Sequence, residues 1–223
     1  MTSYLRSEYL VALLVAAAPS ACSAAESPAA AKPDAKPAAA AAKPAAAPAA
    51  ASSSAAALPH YLQTSSGNTL TFSFMQAGAE NQGAFKQFAT ELYYDEKNLA
   101  ASSLKVIVQI GSFDTQDKDR NDTLAGTELL DSKKFPTAQF VAGALAKGAK
   151  STEAVGKLTL HGVTKELRVP LEIHATAAGL EISGETTIKR LDYGVGTGDW
   201  KSTEWVGDEV KLQYKVSLSR AAK

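Results

Sequence analysis

Between Val155 and Ile173 every second residue is apolar in two successive runs, Leu158 and Leu160, then Leu167, Val169, Leu171 and Ile173, separated by His161-Gly162-Val163-Thr164-Lys165. Period-two alternation is the pattern of strands, and a glycine between two such runs marks a turn, so the segment is predicted to be an antiparallel hairpin. Leu158 and Leu160 share one face, and Lys157, Thr159 and His161 the other. A ribbon that is apolar on one face is not stable alone and needs a second apolar surface across it. The rest of the chain must therefore supply more sheet.

It carries the same alternation. Leu70, Phe72 and Phe74 mark a first strand, Gly83 to Tyr94 a second, and Leu104, Val106, Val108 and Ile110 a third. Phe140 lies in a fourth, after Pro136, and the hairpin supplies the fifth and the sixth, the latter running from Leu167 to Ala175. Leu180, Ile182, Thr186 and Ile188 mark a seventh, and Val210, Leu212, Tyr214, Val216 and Leu218 an eighth. The expected fold is all-β, an eight-stranded antiparallel lipocalin-like barrel. The stretch from Ser112 to Pro136, between strands three and four, is too long for a hairpin loop. Within it Asp117 to Leu130 is predicted to form a short helix, with Leu124, Leu129 and Leu130 placed to pack on an open barrel end as a movable lid or a permanent plug. Pro170 has no N–H to give a ladder, so a bulge or a local opening is expected there.

The N-terminus reads differently. Leu10 to Ala18 is a short apolar run after a polar start with Arg6, and Pro19-Ser20-Ala21-Cys22-Ser23-Ala24-Ala25 follows. That order predicts a secretory signal peptide over residues 1–25. The run is shorter than the roughly twenty residues of a membrane-spanning helix. Cys22 after Ser20-Ala21 resembles a bacterial lipoprotein cleavage site, which would make it the lipidated first residue and a membrane anchor. Cleavage after a nearby alanine, leaving a soluble periplasmic protein, is the other reading. Residues 26–57 are mostly Ala, Pro, Lys and Ser, with too little large apolar surface to bury a core, and are expected to be an extended, disordered tether. The barrel domain is assigned to residues 58–220.

Composition removes several function classes. Twenty-three basic residues balance twenty-three acidic ones, and no basic face suited to phosphate backbones is apparent, so nucleic acid is not an expected partner. A single cysteine allows no internal disulfide and no thiolate metal site. His60, His161 and His174 lack metal-ligand spacing, and His161 is expected to be a turn residue bonded to backbone. No Gly-x-Ser-x-Gly elbow, zinc motif or phosphate loop occurs. With no nucleophile–base pair to name, no catalytic residue is assigned and the chain is not read as an enzyme.

Three segments carry a resemblance. Leu158-Thr-Leu-His-Gly-Val-Thr-Lys165 resembles the hallmark turn of the YceI-like family of bacterial periplasmic lipid-binding proteins. Asp114-Thr-Gln-Asp-Lys-Asp-Arg-Asn-Asp122, with Leu124 and then Phe135-Pro-Thr-Ala-Gln-Phe140, resembles that family's Asp-Thr start, charged helix and Pro-x-x-x-Phe strand start. Lys189-Arg-Leu-Asp-Tyr-Gly-Val195 resembles a third signature, and the three stand in family order. Gly196-Thr-Gly-Asp-Trp200 is similar to the branch found beside cytochrome b561 proteins. The Lys-His of many relatives has no counterpart between Met75 and Phe85.

The resemblance implies a barrel whose interior takes a polyisoprenoid chain, the tail of a quinone or of an isoprenyl phosphate, with no other cofactor required. Candidate tail-binding residues are Phe72, Phe74, Phe88, Val106 and Val108 from the first three strands, and Leu160, Ile182, Leu212 and Tyr214 from the later ones. Alternation fixes a face but not a cavity, so each also fits a closed, packed core. Arg190 can meet a phosphate or a quinone oxygen, or close an ion pair with Asp192 or Asp199. Trp200 and Trp205 suit the mouth of a lipid cavity, the membrane interface or the cap of a barrel end. The expected function is to sequester or carry the isoprenoid lipid in the periplasm. The alternatives are a closed barrel that serves as interaction module for a cytochrome b561-like membrane partner, and an enzyme acting on the same lipid.

Overall fold

The computed structural model describes residues 58–221. The predicted signal peptide with Cys22, and the predicted tether, lie outside the described residues. Within them the strands are β1 (His60–Gln63), β2 (Thr69–Gln76), β3 (Ala79–Phe85), β4 (Phe88–Tyr93), β5 (Ser103–Gln109) and β6 (Phe113–Asp114). One helix, α1 (Lys118–Leu124), precedes β7 (Thr137–Lys147), β8 (Thr152–Leu160), β9 (Val163–Thr176), β10 (Gly179–Lys189) and β11 (Val206–Arg220).

Eight of these strands close a barrel in the order β1, β4, β5, β7, β8, β9, β10, β11, each antiparallel to its neighbours. Closure depends on the short β1, which sets Tyr61 opposite Leu92 of β4 and also opposite Arg220 of β11. β11 is long enough to serve two neighbours on one edge, β1 near its end and β2 along Val206–Lys215. Outside the ring β2 pairs with β3, and β3 with β6 through Phe85 and Phe113. The expected barrel is thus present, with three strands added outside it.

The sequence assigned the ring members differently. The first predicted strand is β2, which lies outside the ring, and the true closing strand, β1, offers only four residues of mixed character. Gly83 to Tyr94, taken as one strand, breaks at Lys86-Gln87. The N-terminal piece pairs with β2 and β6, and the C-terminal piece with β1 and β5.

At the predicted hairpin turn, His161 and Gly162 both have positive φ, +51° and +77°, and Leu160 pairs with Val163. Two consecutive positive-φ residues make the tight turn whose twist matches that of the strands. His161 makes no backbone bond there. Its ring lies 4.4 Å from that of Phe135, and its buried Nε2 has no partner among the described residues.

Pro170 produces no bulge. The β8–β9 register runs through it, with Pro170 opposite Glu153. The opening falls on the other side, where the β9–β10 ladder stops at Glu172 opposite Ser183. A residue without an N–H fits a position whose neighbouring ladder has ended.

One barrel end is packed solid. Leu92, Leu104, Ala142, Leu145, Ala154, Leu171 and Leu218 are buried in one cluster there, each nearly inaccessible. Burying a leucine contributes about 1.5–3 kcal/mol, so this cluster anchors the fold. Toward the other end the inward side chains no longer meet.

Candidate functional site: an apolar cavity with a buried arginine

The inward faces enclose a cavity of about 680 Å³, within the roughly 300–1,000 Å³ usual for ligand sites. Its wall is almost wholly hydrocarbon. Alternation explains this: on β5 Leu104, Val106 and Val108 turn inward, and on β11 Val206, Val210, Leu212, Tyr214 and Val216 do so. The closed, fully packed interior left open by the sequence is not what the barrel contains.

Every residue proposed from sequence for the interior lies on this wall. Phe72 and Phe74 come from β2, Phe88 from β4, Val106 and Val108 from β5, Leu160 from β8, Ile182 from β10, and Leu212 and Tyr214 from β11. Arg190 and Trp200 join them from the segment between β10 and β11.

Two aromatic rings are seated over glycines. Phe72 is paired with Gly83 and Tyr214 with Gly184, and a Cβ on either glycine would overlap the facing ring. The Tyr214 hydroxyl passes over Gly184 and donates to the Pro170 carbonyl, bridging the point where the β9–β10 ladder ends. Burial holds this phenol well above its usual pKa, so it remains a donor.

Arg190 is only 4% exposed and is held without a bonded carboxylate. Its Nε donates to Gly207 O at 2.9 Å, Nη1 to Val195 O at 3.0 Å, and Nη2 to Val206 O at 2.8 Å and to Ser202 O at 3.3 Å. Neither expected ion pair forms, since Asp192 meets Lys165 at 3.1 Å and all four bonds from Arg190 go to carbonyls. Gly196, at φ +103°, leaves the room the guanidinium occupies, because a Cβ there would overlap Nη1. Burial lowers the Arg190 pKa and nearby Asp208 partly offsets this, yet a guanidinium stays charged. Four of its five N–H groups are used by backbone, which leaves one and the net charge.

The sequence placed the Asp117–Leu130 segment at an open barrel end, and Leu124, Leu129 and Leu130 do line the cavity. The helix is shorter than expected, ending at Leu124, and the residues that rim the mouth were not named. The exposed residues on the cavity wall are Ala77 and Ala79, at the β2–β3 turn, and Asp117, Asp119 and Thr123, on and beside α1. The helix is placed by a small polar network. Asp117 caps it by accepting from the Arg120 N–H at 3.0 Å, and Asn121 Oδ1 accepts from Thr115 N at 3.0 Å and from Thr115 Oγ1 at 2.7 Å. Asp114 accepts from the Gln116 N–H at 2.8 Å, which together with the Asn121 amide holds its pKa below the ordinary value. Beyond α1, Leu129 is buried and Glu128 O accepts from the Thr197 N–H at 2.8 Å, so this segment packs as a plug while α1 itself rims the opening. The Asp-Thr start was visible in the sequence as part of a family signature, but the bonds from Thr115 to Asn121 that place α1 were not.

A profile of the YceI-like domain matches residues 61–218. A UPF0312 protein of Yersinia enterocolitica is 32% identical over 147 residues, 62% of this chain and 73% of that protein. The protein YceI of Salmonella arizonae is 32% identical over 123 residues, covering 52% of this chain and 63% of its own length. Among solved structures, Burkholderia cenocepacia BcnA superposes with a TM-score of 0.64 at 33% identity, over 67% of this chain and 94% of that one. A polyisoprenoid binding domain from Saccharophagus degradans superposes with a TM-score of 0.58 at 16% identity, over 74% and 99%, a likeness of fold. With the profile spanning most of the chain, and the barrel and its signature turn in place, the chain belongs to the YceI-like domain family.

Proposed function

We propose that the barrel binds the isoprenoid tail of a lipid, a quinone or an isoprenyl phosphate, and carries or sequesters it in the periplasm without chemical change. The observation that carries this reading is the cavity: about 680 Å³ bounded mostly by aliphatic and aromatic side chains. Each methylene buried there contributes about 0.8 kcal/mol, so partial insertion of a long tail supplies micromolar affinity after association costs. The shared fold of the Saccharophagus polyisoprenoid binding domain supports the same ligand class. Arg190 and the α1 rim would meet the head group, and the α1 segment would move to admit it.

The test is native mass spectrometry of the protein purified from its own cell envelope, followed by organic extraction. A stoichiometric quinone or isoprenyl phosphate is expected. A protein that is empty and refuses both when they are added would end the carrier reading and turn the search to a protein partner.

A further inference from the structure

Beside the mouth, the outer face of the wall carries two large apolar side chains that the fold leaves uncovered. Trp205 is 68% exposed and Met75 46%. Phe74 and Gln76 line the cavity, so alternation along β2 turns Met75 outward, and Trp205, in the turn just before β11, stands outside the cavity wall. Their backbones adjoin. Val206 is paired with Gln76, the Ala77 N–H donates to Trp205 O at 2.8 Å, and a Cβ on Gly207 would lie 3.3 Å from that of Met75. Both side chains thus emerge at the end of the β2–β3 hairpin whose Ala77 and Ala79 form the rim of the opening.

Two observations select the occupant. A tryptophan contributes at most about 250 Å² of contact, and with one methionine this falls far short of the roughly 800 Å² per partner of a stable protein interface. Glu80, opposite Met75 in the β2–β3 ladder, and Glu204, next to Trp205, are exposed and acidic, so the patch suits an uncharged bilayer surface entered by apolar insertion rather than one that attracts by charge. An exposed indole, polar at its N–H and apolar in its body, suits the interfacial layer of a bilayer, where an apolar side chain inserts without a matching protein surface.

We propose that Trp205 and Met75 set the mouth of the barrel onto a lipid bilayer, so that lipid passes between membrane and cavity without crossing water. This rests on the lipid-binding reading of the cavity. The test compares the full chain with a Trp205→Ser, Met75→Ser double variant, using zwitterionic phosphatidylcholine–phosphatidylethanolamine vesicles that contain ubiquinone. Co-sedimentation and the rate of ubiquinone uptake are both expected to fall roughly tenfold or more in the variant. Ubiquinone loading from detergent is expected to stay unchanged, because neither side chain faces the cavity. Vesicle binding equal in the two proteins, or absent from both, overturns the proposal, as does a concentration-dependent dimer that the variant abolishes. Failure of both proteins to load ubiquinone from detergent, with vesicle binding still dependent on Trp205, would sink the cavity reading and leave the docking point standing.

Discussion

Tyr214 and Gly184 stand opposite one another in the β10–β11 ladder, and the phenol crosses the space a side chain at 184 would fill to reach the Pro170 carbonyl. The glycine is there because the tyrosine needs its place. Tyr214→Phe keeps the ring and removes the hydroxyl, leaving a half-buried carbonyl unpaired where the β9–β10 ladder has ended. Urea unfolding is expected to show a loss of about 1 kcal/mol. Gly184→Val is expected to cost more, because the ring itself must leave. Equal stability of wild type and Tyr214→Phe would show that the bond does not close the wall.

Arg190 ties the segment between β10 and β11 together through four carbonyls. A lysine ammonium is a compact point charge without the planar fork, so Arg190→Lys cannot reach Gly207, Val195 and Val206 at once. We expect about 2 kcal/mol or more of lost stability and faster proteolytic cleavage between Val195 and Val206. Gly196→Ala should act in the same direction, by displacing Nη1. A lysine variant as protease-resistant as wild type would contradict this role.

Asp114 gives the mouth a pH dependence. Its folded-state pKa is depressed, first by the Gln116 N–H and then by the Asn121 amide. A depressed carboxylate contributes stability above its unfolded pKa and loses it as the pH falls through the lower folded value. The α1 segment should therefore loosen below about pH 4. Hydrogen exchange of residues 115–124 across that range reads the loosening directly. In Asp114→Asn the local step should vanish, while the acid response of the rest of the barrel remains; persistence of the step would assign it to another carboxylate.

Which parts of this architecture were visible in the residues depends on what alternation reports. It marks a face, so β2, β5, β9, β10 and β11 were readable, and Phe72, Val106, Ile182 and Leu212 were placed on the interior wall. It says nothing about neighbours, so β2 could not be told from a ring member, and the four residues of β1 carried no period to read. The division of Gly83–Tyr94 was hidden because Phe85 and Phe88 are both apolar, although the strands they belong to pair with different partners. Arg190 was recognised as a candidate, but its partners are backbone carbonyls, which no sequence pattern names. The mouth was legible on one side only: the Asp117–Leu130 segment was placed at an open barrel end, whereas Ala77 and Ala79 are ordinary surface residues until the fold sets them around the opening.

Val106 offers a test of the cavity that does not disturb its frame. It sits midway along β5, paired with Thr90 and Phe140, and its side chain projects into the open volume. A larger ring in a packed core costs about 1–3 kcal/mol through strain, but Val106→Trp would extend into existing space, so the change in stability should stay within about 1 kcal/mol. The tail it displaces loses two or more methylene contacts at about 0.8 kcal/mol each, enough for a roughly tenfold fall in affinity. Val141→Trp is the matching control, because Val141 is on the adjacent β7, 43% exposed and turned outward. Titration with ubiquinone should weaken only in the Val106 variant. If both variants bind as wild type does, the tail does not lie against β5, and a ligand elsewhere on the barrel must be sought.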